Sequence, residues 1–130
     1  MSQSQPTLRC SDIIGMPYRL GGDGSDGTID CINLVYLALA EQGIDRPCFD
    51  LDWYNQSWRQ YLRDLLGWGY EVDKPYNGDV LWQPGEGPVF AVIWQNGILH
   101  ISQARKSVHW LPVGTQGIPL NFRCFRMKGS

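Results

Sequence analysis

One cysteine lies where a protein could activate a nucleophile. Cys31 begins an apolar run that extends to Leu39, and the spacing of the apolar residues predicts a buried helix. Asp30 is a typical N-cap residue, so Cys31 falls in the first turn of that helix. The helix dipole and unpaired backbone N–H groups at such a position favour a thiolate. Cys31 is therefore a candidate for covalent catalysis, against the simpler interpretation that it is a small core residue.

A cysteine nucleophile needs a base that takes its proton and a third group that orients the base. The chain has 2 histidines, His100 and His109. On the residues alone, one open arrangement has His100 as the base of Cys31 and His109 as its orienting group. In the alternative, both histidines are polar residues on half-exposed strands, and for His109 this is favoured because it alternates with Val108 and Trp110 as one face of a strand does.

The elements that must position these residues fall into two halves. Helices are predicted near 8–14, at 31–42 and at 57–66, ended by Gly15, Gly43 and Gly67. Between the first two lies a glycine- and aspartate-rich loop, 21–27, which suits neither a helix nor a strand interior. Strands are predicted at 70–72, 80–82, 89–94, 98–102, 108–113 and around 122–125. Asn96-Gly97 gives the strongest hairpin signal.

Helices followed by antiparallel strands predict an α+β fold in a single domain of 130 residues. We divide it into a polar tail (1–7), a helical half (8–67) and a β half (68–127). In this arrangement the helix that begins at Cys31 packs on an antiparallel sheet of about five or six strands.

Charge and composition exclude several classes of function. The net charge of −2 and a pI near 5.5 argue against nucleic-acid binding. No apolar run approaches a membrane span, and Met1 to Thr7 lacks the apolar core of a signal peptide, so we expect synthesis in the cytoplasm. The cysteines have neither C-x-x-C spacing nor a neighbouring histidine, so we expect no metal and no cofactor. The disulfide state of Cys10, Cys48 and Cys124 stays open.

The stretch GMPYRLGGDGSDGTIDCINLVYLAL, residues 15–39, resembles the NlpC-type cysteine peptidases. Their pattern is roughly G-x-P-Y-x-x-G-G followed by D-C-S-G-L-V. Those enzymes have a papain-like fold and cleave bacterial cell-wall peptides with a cysteine, a histidine and a third polar residue. The resemblance implies that Cys31 is the nucleophile and Tyr18 the active-site tyrosine. Ile32 and Asn33 stand where the family has Ser-Gly. The first of these positions helps to shape the family's substrate pocket, so the resemblance does not extend to the usual cell-wall specificity.

The same family resemblance extends to GDVLWQPGEGPVFAVIWQNGILHIS, residues 78–102. The Gly-Asp start matches, and His100 aligns with the histidine that orients the family's base. The base itself then falls within 88–90, and the spacing fits Val89 best. Since no residue there accepts a proton, the resemblance implies a catalytic site without its base.

A narrower resemblance is to the NlpC-type domains of phage tail assembly proteins. It rests on Trp53 and on segments 58–62, 67–72, 75–81, 98–100 and 105–108. It implies a catalytically degenerate structural component of a tail tip, hub or baseplate, located in the virion tail with other tail proteins as partners. The alternative is an active cysteine peptidase or amidase on cell-wall peptides, with Cys31 as nucleophile and His100 as base.

Overall fold

The apolar patterns of the sequence become three helices and six strands within the residues that the structure describes. This computed structural model describes 8–44, 58–83, 89–102, 104–113 and 122–128, apart from the side chains of 58, 59, 61 and 89. In chain order the elements are α1 Cys10–Ile13, α2 Cys31–Glu41, α3 Trp58–Trp68, β1 Gly69–Val72, β2 Val80–Gln83, β3 Val89–Trp94, β4 Gly97–Ser102, β5 Ser107–Pro112 and β6 Arg123–Met127. The predicted polar tail and Cys48 lie outside the described residues.

The strands form one sheet in the order β1-β6-β2-β3-β4-β5, and each neighbouring pair is antiparallel. Helix α2 packs across β3 and β4. The predicted α+β architecture, with the helix of Cys31 on an antiparallel sheet, is therefore confirmed. None of the helices in the described ranges has the length and apolar character needed to cross a bilayer.

The two faces of the sheet carry different apolar clusters, because side chains alternate between faces along each strand. The face that packs on α2, here the helix face, carries Val80, Trp82, Phe90, Val92, Leu99 and Val108. The opposite face, here the far face, carries Leu81, Ala91, Ile93, Ile98 and Cys124. Cys31 belongs to the helix-face cluster. The sheet therefore separates anything on the far face from Cys31.

The hairpin between β3 and β4 forms as predicted, but its turn lies one residue earlier. Gln95 and Asn96 are the two central residues, with φ of 49° and 58°, as a type I′ turn requires. Gly97 already pairs with Trp94 as the first residue of β4. A Cβ on Gly97 would lie 2.2 Å from the Trp110 ring, whose Nε1 donates to the Trp94 carbonyl at 2.8 Å. The glycine therefore serves close packing.

We expect Gly97→Ala to lower the free energy of unfolding by roughly 1–3 kcal/mol, because the new methyl group displaces the Trp110 ring. Urea unfolding followed by tryptophan fluorescence measures this. The matched control is Gln95→Gly, which relieves a positive φ at an exposed position and should not destabilise the chain. Equal stability of the Gly97→Ala variant and the wild type would show that Trp110 does not pack closely here.

Helix α3 ends later than predicted. Gly67 lies inside it, and the helix extends to Trp68, whose side chain packs partly against the helix-face core. The break comes at Gly69, where a Cβ would lie 2.0 Å from the carbonyl oxygen of Arg126 on β6. Contact with β6, which is distant in sequence, therefore sets the end of the helix. The prediction from Gly67 placed that end too early.

Candidate active site

Asp30 caps α2 and holds Cys31 in the first turn, as the sequence predicts. Its Oδ1 accepts from the backbone N of Asn33 at 2.8 Å and from Asn33 Nδ2 at 3.0 Å. Its Oδ2 accepts from the backbone N of Gly21 at 2.9 Å. Because Asp30 is 2% exposed, these hydrogen bonds are shielded from water. One buried carboxylate thus joins the glycine loop to the helix that carries the thiol.

The glycine loop closes on itself just before Cys31. The carbonyl of Gly22 accepts from the backbone N of Asp30 at 2.9 Å and from Asn33 Nδ2 at 3.0 Å. A Cβ on Gly22 would lie 2.8 Å from backbone atoms of Thr28, so this close approach requires glycine. Asn33, which replaces the family's glycine, is a positioning residue that sequence reasoning missed.

The acidic side chains of the loop are used within it. Asp26 Oδ1 accepts from the backbone N and the hydroxyl of Thr28 at 3.0 and 2.6 Å, and Asp26 also pairs with Arg19. Asp23 accepts from Ser25 in the same way. The part of the chain that the structure describes holds no group of three or more His, Cys, Asp or Glu suited to a metal ion. The loop is therefore a support for α2.

The structure brings Tyr18 and Cys31 together. Cys31 is a buried thiol, 8% exposed. Tyr18 is held by its backbone N, which donates to the carbonyl of Lys106 at 2.8 Å, and by a bridge to Ile29. Burial chiefly raises the pKa of the Tyr18 phenol, and the nearby Cys31 and Asp30 raise it further. The tyrosine and the thiol that the family resemblance pairs are thus electrostatic neighbours.

The two histidines lie on the other side of the sheet. In β4, Leu99 and Ile101 pack on the helix face, so His100 between them points to the far face. His109 is its direct partner on β5, and the two ring centroids are 6.5 Å apart. Val108, next to His109, belongs to the helix face. The structure therefore pairs the imidazoles with each other and places the sheet between them and Cys31.

The environment of the histidine pair is half-buried. Burial chiefly lowers the pKa of His100, and the neighbouring charge of His109 lowers it further. Nε2 of His100 is buried and has no hydrogen-bond partner among the described residues. Nε2 of His109 lies 3.2 Å from Ser107 Oγ.

The segment that the resemblance assigns to the base is described in part. Residue 88 and the side chain of Val89 lie outside the described residues. Phe90 is fully buried on the helix face, opposite Trp82 in the register of β2 and β3. At position 90 the face toward α2 therefore presents an aromatic ring, which accepts no proton.

Comparisons with known proteins point to one fold. No protein-family model matches the sequence, and no curated protein is significantly similar to it. Among solved structures, the chain is similar to an NlpC/P60 family protein from Bacillus cereus ATCC 10987, with a TM-score of 0.53 and 21% identity over 93% of this chain. The match covers 40% of that protein. The likeness shows the fold, an α+β papain-like NlpC-type fold.

Proposed function

We propose that this chain is a catalytically degenerate NlpC-type domain that serves as a structural component of a phage tail tip, hub or baseplate. The observation that carries the proposal is the position of the histidines. A general base must come within about 2.6–3.2 Å of the group it deprotonates, or reach it through one water. His100 and His109 both lie on the far face, whereas Cys31 belongs to the helix-face cluster and Tyr18 is its electrostatic neighbour.

The role in a tail is supported by the resemblance to tail assembly domains described above and by an exposed aromatic surface. Tyr70 and Tyr76 are 51% and 68% exposed, and both line a pocket of about 600 Å³ together with Arg126. Exposed tyrosines beside an arginine are typical of the residues that bind partner proteins. Other tail proteins are the partners we propose for this surface.

Cross-linking mass spectrometry of intact tails tests the assembly role. Lys74 and Lys128 are close to this surface, since the Lys74 carbonyl accepts from Arg126 and Lys128 follows Arg126 by two residues at the end of β6. We expect cross-links from these two lysines to other tail proteins. Lys106, beside Tyr18, is the internal control. Absence of the chain from the particle, or cross-links from Lys106 alone, would refute this role.

The alternative is an active cysteine peptidase or amidase that cleaves cell-wall peptides, with Cys31 as nucleophile and His100 as base. The electrostatic proximity of Tyr18 and Cys31 and the capped first turn of α2 favour it. For His100 to act, β4 would have to shift its register by one residue, because such a shift moves every side chain of a strand to the other face.

Alkylation of Cys31 by iodoacetamide between about pH 5 and 9, read by peptide mass spectrometry, distinguishes the two functions. For a degenerate site, we expect the rate profile of Cys31 to be the same in the wild type, His100→Ala and the matched control His109→Ala. Cys31→Ala identifies the modified peptide. Fast alkylation near pH 6 that slows only in His100→Ala, together with cleavage of cell-wall peptides, would establish the peptidase and overturn the proposal.

A further inference from the structure

We propose that His100 and His109 form a two-histidine site for a transition-metal ion on the far face of the sheet. The two residues are direct partners in the register of β4 and β5. Side chains in such a pair start from Cβ atoms about 4.5–5.5 Å apart. The imidazole centroids are 6.5 Å apart with the planes tilted by 41°. Since imidazole nitrogens bind Zn²⁺ at about 2.0–2.1 Å, one ion would bridge the pair once rotation of the rings turns a nitrogen of each toward the other.

The nitrogen atoms of the pair are suited to this use. Nε2 of His100 is buried and makes no hydrogen bond to any described residue. A buried polar atom without a partner costs free energy, and a bound cation would remove that cost. His109 has the complementary arrangement, with Nε2 at 3.2 Å from Ser107 Oγ. If Nε2–H donates to that hydroxyl, the other ring nitrogen of His109 is left as the ligand, with its tautomer fixed by the second bond.

The chemistry of the pair selects the class of ion. Neutral imidazole suits Zn²⁺, Cu²⁺ and Ni²⁺ and suits Mg²⁺ and Ca²⁺ poorly. The described residues add no third His, Cys, Asp or Glu to the pair, so water would complete the coordination. We therefore expect a single ion of modest, micromolar affinity, bound most tightly as Cu²⁺ in the usual divalent order.

This site is independent of the proposed function, because it lies across the sheet from Cys31. Isothermal titration of the untagged chain at pH 7.5 with CuCl₂, NiCl₂ or ZnCl₂ tests it. We expect one Cu²⁺ or Ni²⁺ per chain and an affinity at least tenfold lower in both His100→Gln and His109→Gln. The electron paramagnetic resonance spectrum of the Cu²⁺ form should show nitrogen ligands. MgCl₂ should give no binding.

Cysteine thiols also bind these ions, so Cys31→Ala is the matched control and should keep the wild-type affinity. Thermal unfolding in EDTA establishes that each histidine variant folds. No Cu²⁺ or Ni²⁺ binding by the wild-type chain would overturn the proposal. Equal binding by the wild type and a folded histidine variant would also overturn it, as would loss of binding only in Cys31→Ala.

Discussion

Replacing Asp79 with asparagine should lower the free energy of unfolding by about 3 kcal/mol, because it leaves a partly buried arginine without its counter-charge. Asp79 is 1% exposed. It accepts from Nε and Nη2 of Arg126 at 2.9 and 3.0 Å, and from the backbone N of Tyr76 at 2.8 Å. The two arginine donors bind different oxygens of the carboxylate, so the NH₂ group of asparagine would face one of them as a second donor.

The geometry around Arg126 explains why the loss should be large. The Asp79 hydrogen bonds are the main cause of the raised pKa of Arg126. The guanidinium also donates to the Lys74 carbonyl at 3.2 Å and lies 5.7 Å from the centre of the Tyr76 ring. Asp79 therefore joins β6 to the turn that leads into β2. Asp79 is the second residue of the Gly-Asp pair that matches the family pattern, and in this chain it has that structural role.

Urea unfolding of Asp79→Asn measures the effect, and the chain supplies a matched control. Arg123 and Glu71 also form a two-bond ion pair, but their side chains are 36% and 40% exposed. Glu71→Gln should therefore cost less than about 1 kcal/mol. Adding Arg126→Gln to Asp79→Asn should recover part of the loss, because it removes the uncompensated charge. If Asp79→Asn costs no more than Glu71→Gln, burial of the pair contributes nothing.

Local patterns were enough to predict the elements that carry the site. The apolar run after Asp30 gave the start of α2, and the uninterrupted apolar run 89–94 gave β3 with both of its bounds. Local patterns were insufficient where a residue distant in sequence determines the geometry. The turn of the β3–β4 hairpin moved by one residue because Trp110 packs on Gly97. No signal within 95–97 reports the position of that ring.

The face on which His100 lies could not be predicted for a related reason. Strand β4 is apolar on both faces, since Ile98 belongs to the far face and Leu99 to the helix face. Apolar and polar residues alternate from Leu99 to Ser102, but because Ile98 is buried as well, this alternation does not tell which face of the sheet packs on α2. The two-residue turn at Gln95 and Asn96 sets the register instead, and a shift of one residue would turn His100 to the other face. An alignment of residue types with a family motif does not show which face of the strand a residue lies on.

Asp30→Ala should lower the free energy of unfolding by about 2 kcal/mol, the upper part of the range for a lost N-cap. The substitution removes the acceptor for three donors, which are the backbone N–H groups of Gly21 and Asn33 and the side-chain amide of Asn33. Because Asp30 is buried, water replaces these hydrogen bonds poorly. The loop would detach from α2, and we expect Cys31 to become more accessible to iodoacetamide.

The matched control is Asp23→Ala in the same loop, which removes only exposed hydrogen bonds from Ser25 and should change stability by less than about 0.5 kcal/mol. Asp30→Asn keeps one side-chain oxygen as a cap acceptor and should fall between the two. The order of the three variants tests whether one carboxylate carries the connection between the loop and the thiol. If Asp30→Ala unfolds with the wild-type midpoint and leaves the alkylation rate of Cys31 unchanged, the loop is held by its backbone alone, and Gly22 becomes the residue that positions Cys31.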